Sequence, residues 1–163
     1  LSTVATAQTE WVGQVAPSFS LPDQHGKARA LSEYKGRWVA LYFYPKNDTP
    51  GCTEEAKAFR DLYPTLKQNN IDVVGVSLDD VASHKAFAKK LDLPFTLLAD
   101  SDQKLARHFN VLRGFGPITH AKRETFLIDP NGNVVYHYKS VNAAEHAKQV
   151  LGDVKRLSHE SNK

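Results

Sequence analysis

At 163 residues and 41% hydrophobic content the chain is one domain long on the usual prior and can bury a sizeable core. Its 21 basic and 18 acidic residues, a net charge of +3, are scattered without the basic run of a nucleic-acid-binding arm, and its apolar runs fall far below the roughly 18 residues needed to cross a bilayer. A soluble protein with neither nucleic-acid nor membrane partners is expected, and the single cysteine excludes a disulfide framework, a CxxC redox pair and a multi-cysteine zinc site.

Residues 1–10 open with Leu1-Ser2-Thr3-Val4-Ala5-Thr6-Ala7. This segment reads either as the end of an export signal with an A-x-A cleavage site, implying a periplasmic or otherwise exported protein, or as a polar leader, equally compatible with a cytoplasmic one. Residues 11–163 contain no repeat, low-complexity tract or Gly/Ser linker and are expected to form a single domain.

Within that stretch, residues 16–21 and a segment following the turn signal Pro22-Asp23-Gln24-His25-Gly26 predict an N-terminal hairpin. Residues 37–44 are nearly continuous in aromatic and β-favouring side chains, as in a central strand covered on both faces, and Pro45 stops them. From 53 to 69, Ala56, Phe59, Leu62, Tyr63 and Leu66 recur at helical spacing, with Pro64 expected to kink the helix. Residues 71–78 predict a buried strand. Asp79 and Asp80 are suitable caps for a helix through Leu91.

Residues 95–99 predict a strand, 103–109 a short helix and 124–128 another strand, which ends at the hairpin turn Asp129-Pro130-Asn131-Gly132 and returns over 134–138. Asn142 caps a last helix with Ala143, Ala147, Val150, Leu151, Val154 and Leu157 as its apolar stripe. The class implied is α/β in three layers, a mixed sheet with helices on both faces.

The residues around the cysteine carry the chemistry. With Thr49 as the helix N-cap, Pro50 takes the first helical position, where its missing N–H costs nothing, and Cys52 becomes the third residue of the first turn. A thiol there lies among unpaired backbone N–H groups at the positive end of the helix, a place that stabilises the anionic nucleophile. A lone cysteine is otherwise most often a buried, inert hydrophobe. Thr49 reads equally as a plain cap or as a hydroxyl donor to the sulfur or a bound peroxide. Glu54 and Glu55 oppose an anion, and the only nearby cation in sequence is Lys46.

The run from Tyr44 to Ala56, with Pro45-x-x-x-Thr49-x-x-Cys52 at its centre, resembles the active-site signature of the peroxiredoxins and looks most like their bacterioferritin-comigratory, or Q-type, branch. Residues 13–23 are similar to that family's opening hairpin, and Arg123-Glu124-Thr125-Phe126-Leu127-Ile128-Asp129 to its late strand with an arginine at the start. The resemblance implies a thioredoxin-like fold and an antioxidant peroxidase acting on hydrogen peroxide and organic hydroperoxides, with no cofactor and a monomeric state expected. Carried over residue by residue, Cys52 is the peroxidatic thiolate, Thr49 positions the peroxide, Pro45 shields the sulfur from solvent and Arg123 supplies the missing cation.

The chain also departs from that pattern. Many members of the branch have a second, resolving cysteine five residues on, where this sequence has Lys57, about 140° around the helix from Cys52. A sulfenic acid at Cys52 then needs an external thiol, such as thioredoxin, glutaredoxin or glutathione, unless two subunits pair through Cys52.

Seven histidines without metal-ligand spacing read as ordinary surface or capping residues, and Arg113-Gly114-Phe115-Gly116-Pro117 as a flexible loop near the site rather than a dinucleotide motif. A general thiol–disulfide oxidoreductase lacks its CxxC pair. A redox-inert thioredoxin-like binding or chaperone domain is the competing reading, because fold alone does not establish activity.

Overall fold

The computed structural model describes residues 10–161. The segment read above as a signal remnant or leader lies almost wholly outside them.

Strands β1 (Ser20–Pro22) and β2 (Ala28–Ala30) form an antiparallel hairpin whose turn is held by the Asp23 carboxylate, which accepts from the amides of His25 and Lys27. A 3-10 turn at Leu31–Tyr34 leads into β3 (Trp38–Phe43), the middle strand of a five-stranded sheet. Then follow helix α1 (Pro50–Gln68), β4 (Ile71–Ser77), α2 (Val81–Leu91), β5 (Thr96–Ala99) and the short α3 (Lys104–His108). The tiny strands β6 (Leu112–Arg113) and β7 (His120–Ala121) pair with each other, and β8 (Glu124–Ile128), β9 (Val134–Tyr138) and α4 (His146–Ser161) complete the chain.

The sheet order is β5-β4-β3-β8-β9, parallel among β3, β4 and β5 and antiparallel from β3 to β8 to β9. This is the expected mixed sheet with an N-terminal hairpin. Every residue of β3 is buried because alternate side chains enter different cores. Trp38, Ala40 and Tyr42 pack with Phe59 and Leu66 of α1, Phe87 of α2 and Val150 of α4. Val39, Leu41 and Phe43 pack with Phe19, Leu105 of α3, Phe109 and Phe126. A strand buried on both faces needs apolar residues at both parities, which is why its sequence shows no alternation.

The register between β3 and β8 fixes where chemistry can occur. Phe43, the last residue of β3, pairs with Glu124, the first of β8, so Arg123 sits beside the point where the chain leaves β3 for α1. Two distant stretches of sequence thus meet at one end of the sheet.

The details depart from sequence expectation in three places. The Gly-rich stretch is not simply a loop: β6, a 3-10 turn at Gly116–Ile118 and β7 form a small hairpin that runs directly into Arg123. Helix α4 begins at His146, later than the apolar stripe from Ala143 implied, because Asn142 first spends its side chain on a turn, accepting from the amides of Ala144 and Glu145. Two histidines belong to the core. His84 and His146 are fully buried, and His146 bonds through Nε2 to Thr125 Oγ1 at 2.8 Å. Helix α1 continues through Pro64 to Gln68, and Asp80 caps α2 by accepting from the Ser83 amide at 2.8 Å.

Candidate active site

Thr49 is the N-cap of α1 and Pro50 its first residue, so Cys52 is the third residue of the first turn, as the spacing predicts. The first regular helical bond runs from the Thr53 amide to the Thr49 carbonyl at 2.9 Å, which leaves the amides of Gly51 and Cys52 without an intrahelical acceptor. The Thr49 hydroxyl does not cap the helix. It donates to the Lys46 carbonyl at 2.8 Å and closes the connecting turn.

That turn is fixed to the scaffold by Asn47, which is buried. Its amide donates to Asp79 Oδ2 at 3.0 Å, its Nδ2 reaches Ser83 Oγ and His84 Nδ1, each at 3.0 Å, and its Oδ1 accepts from the Tyr44 hydroxyl at 2.6 Å. His84 Nε2 faces the Leu98 carbonyl at 2.9 Å, an acceptor only, so the ring donates there and presents Nδ1 as an acceptor to Asn47. Burial lowers the proton affinity of this imidazole, which favours the neutral form the network needs. Asp48 then takes a left-handed conformation, φ 66°, to bring the chain round to Thr49.

The Cys52 side chain is 1% exposed. Arg123 Nη2 donates to its sulfur at 3.3 Å while Nη1 donates to Glu55 Oε1 at 2.7 Å. One guanidinium therefore bridges the thiol and a carboxylate one turn further along the same helix. Burial pushes the Glu55 carboxyl up to about 7, although Arg123 pulls it back down by charge and by hydrogen bond. Arg123 is itself disfavoured by burial, yet Glu55 and Cys52 raise its hold on its proton on balance. The other Glu55 oxygen and the nearby Tyr42 hydroxyl are buried without a hydrogen bond among the described residues.

Glycine leaves room beside this contact. A Cβ on Gly51 would lie 2.9 Å from Arg123 Nη2, which is already pinned between sulfur and carboxylate. Pro45, half-buried, forms one wall of a cleft that opens beside Arg123.

Of the residues singled out by sequence, the structure brings Cys52 and Arg123 into contact, sets Thr49 at the helix start and Pro45 at the cleft. Lys46 and Lys57 are exposed. Glu55 corrects an expectation: it does not simply oppose an anion, but turns inward and holds the arginine. Its position three residues after Cys52 places both on one face of α1, a signal present in the sequence. Gly51, Tyr42 and the Asn47–His84 network were missed. Among the described residues no three His, Cys, Asp or Glu side chains cluster to hold a metal ion, and no helix is long and apolar enough to cross a membrane.

Comparison with known proteins gives a consistent picture. The model of the AhpC/TSA family matches residues 12–137. A wheat (Triticum aestivum) chloroplastic peroxiredoxin Q is 50% identical over 129 residues, 78% of this chain and 58% of that one. Peroxiredoxin Bcp of Bacillus subtilis is 40% identical over 151 residues, 90% of this chain and 96% of that one. A solved structure of a Xanthomonas campestris bacterioferritin comigratory protein superposes with a TM-score of 0.79 at 35% identity, covering 85% of this chain and 90% of that chain. The chain spans less than two thirds of the length of several of its plant relatives, 58% in the wheat case and 60% in that of Populus jackii. The five-stranded mixed sheet with its N-terminal hairpin is the thioredoxin-like arrangement of these structures.

Proposed function

The chain belongs to the AhpC/TSA family, and on that premise we propose that it is a thiol-dependent peroxidase that reduces hydrogen peroxide and organic hydroperoxides through Cys52. The relative from Xanthomonas campestris is described by its alkyl peroxide reduction activity, which supports the substrate class. The observation that carries the reading is the 3.3 Å contact between Arg123 Nη2 and a cysteine sulfur in the first turn of a helix.

In the proposed reaction the Cys52 thiolate attacks one oxygen of the hydroperoxide. The oxygen–oxygen bond breaks, sulfur gains the attacked oxygen as a sulfenic acid, and the other oxygen leaves as an alkoxide or hydroxide that takes a proton from solvent. Negative charge moves from sulfur to the departing oxygen. A fixed guanidinium and the free amides of Gly51 and Cys52 are suited to follow it, because donors already in place need no reorganisation. In this reading Thr49 positions the peroxide and Pro45 keeps bulk water from the sulfur.

The chain has no second cysteine, so the sulfenic acid is returned to thiolate by an external thiol, for which thioredoxin, glutaredoxin and glutathione are the candidates. Peroxide consumption with dithiothreitol tests the reading. Wild type should turn over and Cys52→Ser should be inactive but folded, because a hydroxyl is not appreciably ionised at neutral pH. Wild type that consumes no peroxide would mark a redox-inert domain of this fold.

A further inference from the structure

The cleft beside Arg123 has a charge that the peroxide step does not use. It has a volume of about 480 Å³ and is lined by Arg113, Lys122, Arg123 and Lys139 as cations and by Glu124 as its only carboxylate. Glu124 is occupied internally: Oε1 lies 2.6 Å from His137 Nε2 and Oε2 lies 3.3 Å from Lys122 Nζ. Arg123 is likewise paired with Glu55. Arg113 and Lys139 are exposed and meet no carboxylate within ion-pair distance among the described residues, so the outer cleft carries uncompensated positive charge. Arg113 stands on β6 and Lys139 just past β9, so two separate elements of the fold aim cations at the same opening.

Under the proposed peroxidase reading, the two half-reactions differ in the charge of the incoming molecule. A hydroperoxide is neutral and gains nothing from a positive field at long range. The thiol that reduces the sulfenic acid attacks as an anion, and a cationic surround both concentrates anions and favours thiolate over thiol. We propose that this cleft is the site of the reductant, and that its preferred occupant is a small thiol bearing carboxylates of its own, held by Arg113 and Lys139 while its sulfur is presented toward Cys52.

The thiolate sulfur bonds to the Cys52 sulfur as the sulfur–oxygen bond breaks, hydroxide leaves and takes a proton to become water, and Cys52 is left in a mixed disulfide. A second thiolate attacks the small-molecule sulfur of that disulfide, releasing a symmetrical disulfide and the Cys52 thiolate. Two thiols are oxidised for each peroxide reduced. Cys52 is 1% exposed, so the first attack requires its surroundings to move aside.

The test separates the two steps. Sulfenic acid is formed with one equivalent of hydrogen peroxide and mixed with mercaptosuccinate, 2-mercaptoethanol or cysteamine, at matched thiolate concentration, and the mixed disulfide is followed by quenched-flow intact mass. The dianionic thiol should react at least about tenfold faster than the neutral one, and the cationic thiol slowest, as expected for electrostatic focusing. That advantage should shrink at high salt and disappear in the double variant Arg113→Gln, Lys139→Gln, whose rate with hydrogen peroxide falls by much less than its rate with the dianionic thiol. Equal rates for the three thiols, an unchanged preference in the double variant, or reduction by a thioredoxin-type protein but by none of the small thiols would each overturn the inference. Failure to form any sulfenic acid would instead overturn the peroxidase reading on which it rests.

Discussion

An arginine meets a carboxylate at 2.7 Å near each end of the central strand, and the two pairs have opposite characters. At the start of β3, Arg37 pairs with Asp72, whose other oxygen accepts from the Tyr63 hydroxyl and the Val73 amide, each at 2.9 Å, while Lys67 stands 3.5 Å away. Every acceptor is used. At the far end, Arg123 divides itself between Glu55 and the Cys52 sulfur, and both Glu55 Oε2 and the Tyr42 hydroxyl stay buried without partners among the described residues. An unmet buried polar group costs about 1–3 kcal/mol, a cost that the Asp72 carboxylate avoids and the Glu55 carboxylate bears. The distance of an ion pair does not reveal its role, whereas the bookkeeping of its remaining donors and acceptors does.

Removing each arginine should break the comparison most sharply. Arg123→Ala is expected to lower the rate constant for hydrogen peroxide by about 10²–10³. Arg37→Ala should leave that rate within a few-fold of wild type while lowering stability by about 1–2 kcal/mol, less than a fully buried pair because the arginine is partly exposed. Stopped-flow rates together with urea unfolding of both variants distinguish these outcomes. A similar rate loss in the two would erase the contrast between the ends.

A smaller effect should come from Gly51→Ala. Its new methyl group meets the guanidinium end-on at 2.9 Å, and the arginine can yield only by leaving the sulfur or Glu55. A loss of about tenfold in the peroxide rate is expected, since misplacing a reacting group by a fraction of an ångström is costly. An unchanged rate would show that the guanidinium is not held as tightly as its two contacts imply.

The remaining effect concerns pH and is read on stability rather than on rate. Burial raises the Glu55 carboxyl from its ordinary 4.5 to about 7, so the folded protein binds a proton that the unfolded chain has released across that window. Stability of wild type relative to Glu55→Gln should be greatest below pH 4.5 and decline as pH rises through about 7, by at most about 3 kcal/mol. Denaturant midpoints of both proteins from pH 4 to 8 measure this. A difference that grows with pH would mean that the arginine more than offsets the burial.

How much of this the sequence discloses depends on how local each feature is. The position of Cys52 follows from the neighbouring Thr49 and Pro50, whose helix-start preferences act within one turn. β3 and α1 are legible because their apolar patterns are long. The Arg123 contact spans 71 residues of sequence and depends on the β3–β8 register, so only the family resemblance pointed to it. Glu55 was visible as a neighbour of Cys52, but the sign of its effect turns on which partner its face meets. The β6–β7 hairpin, with two residues per strand, is too short to show any period. His84 looks like any dispersed histidine until the Asn47 turn and the Leu98 carbonyl close around it.

Under the proposed reaction, Cys52 alone carries the oxidising equivalent from peroxide until an outside thiol removes it. Intact mass under non-reducing conditions tests it directly. One equivalent of hydrogen peroxide should yield a monomer heavier by one oxygen, and a large excess without thiol should yield two- and three-oxygen species as activity falls. Conversion of the wild-type chain mainly to a dimer joined through Cys52, or no change in mass at all, would contradict the account.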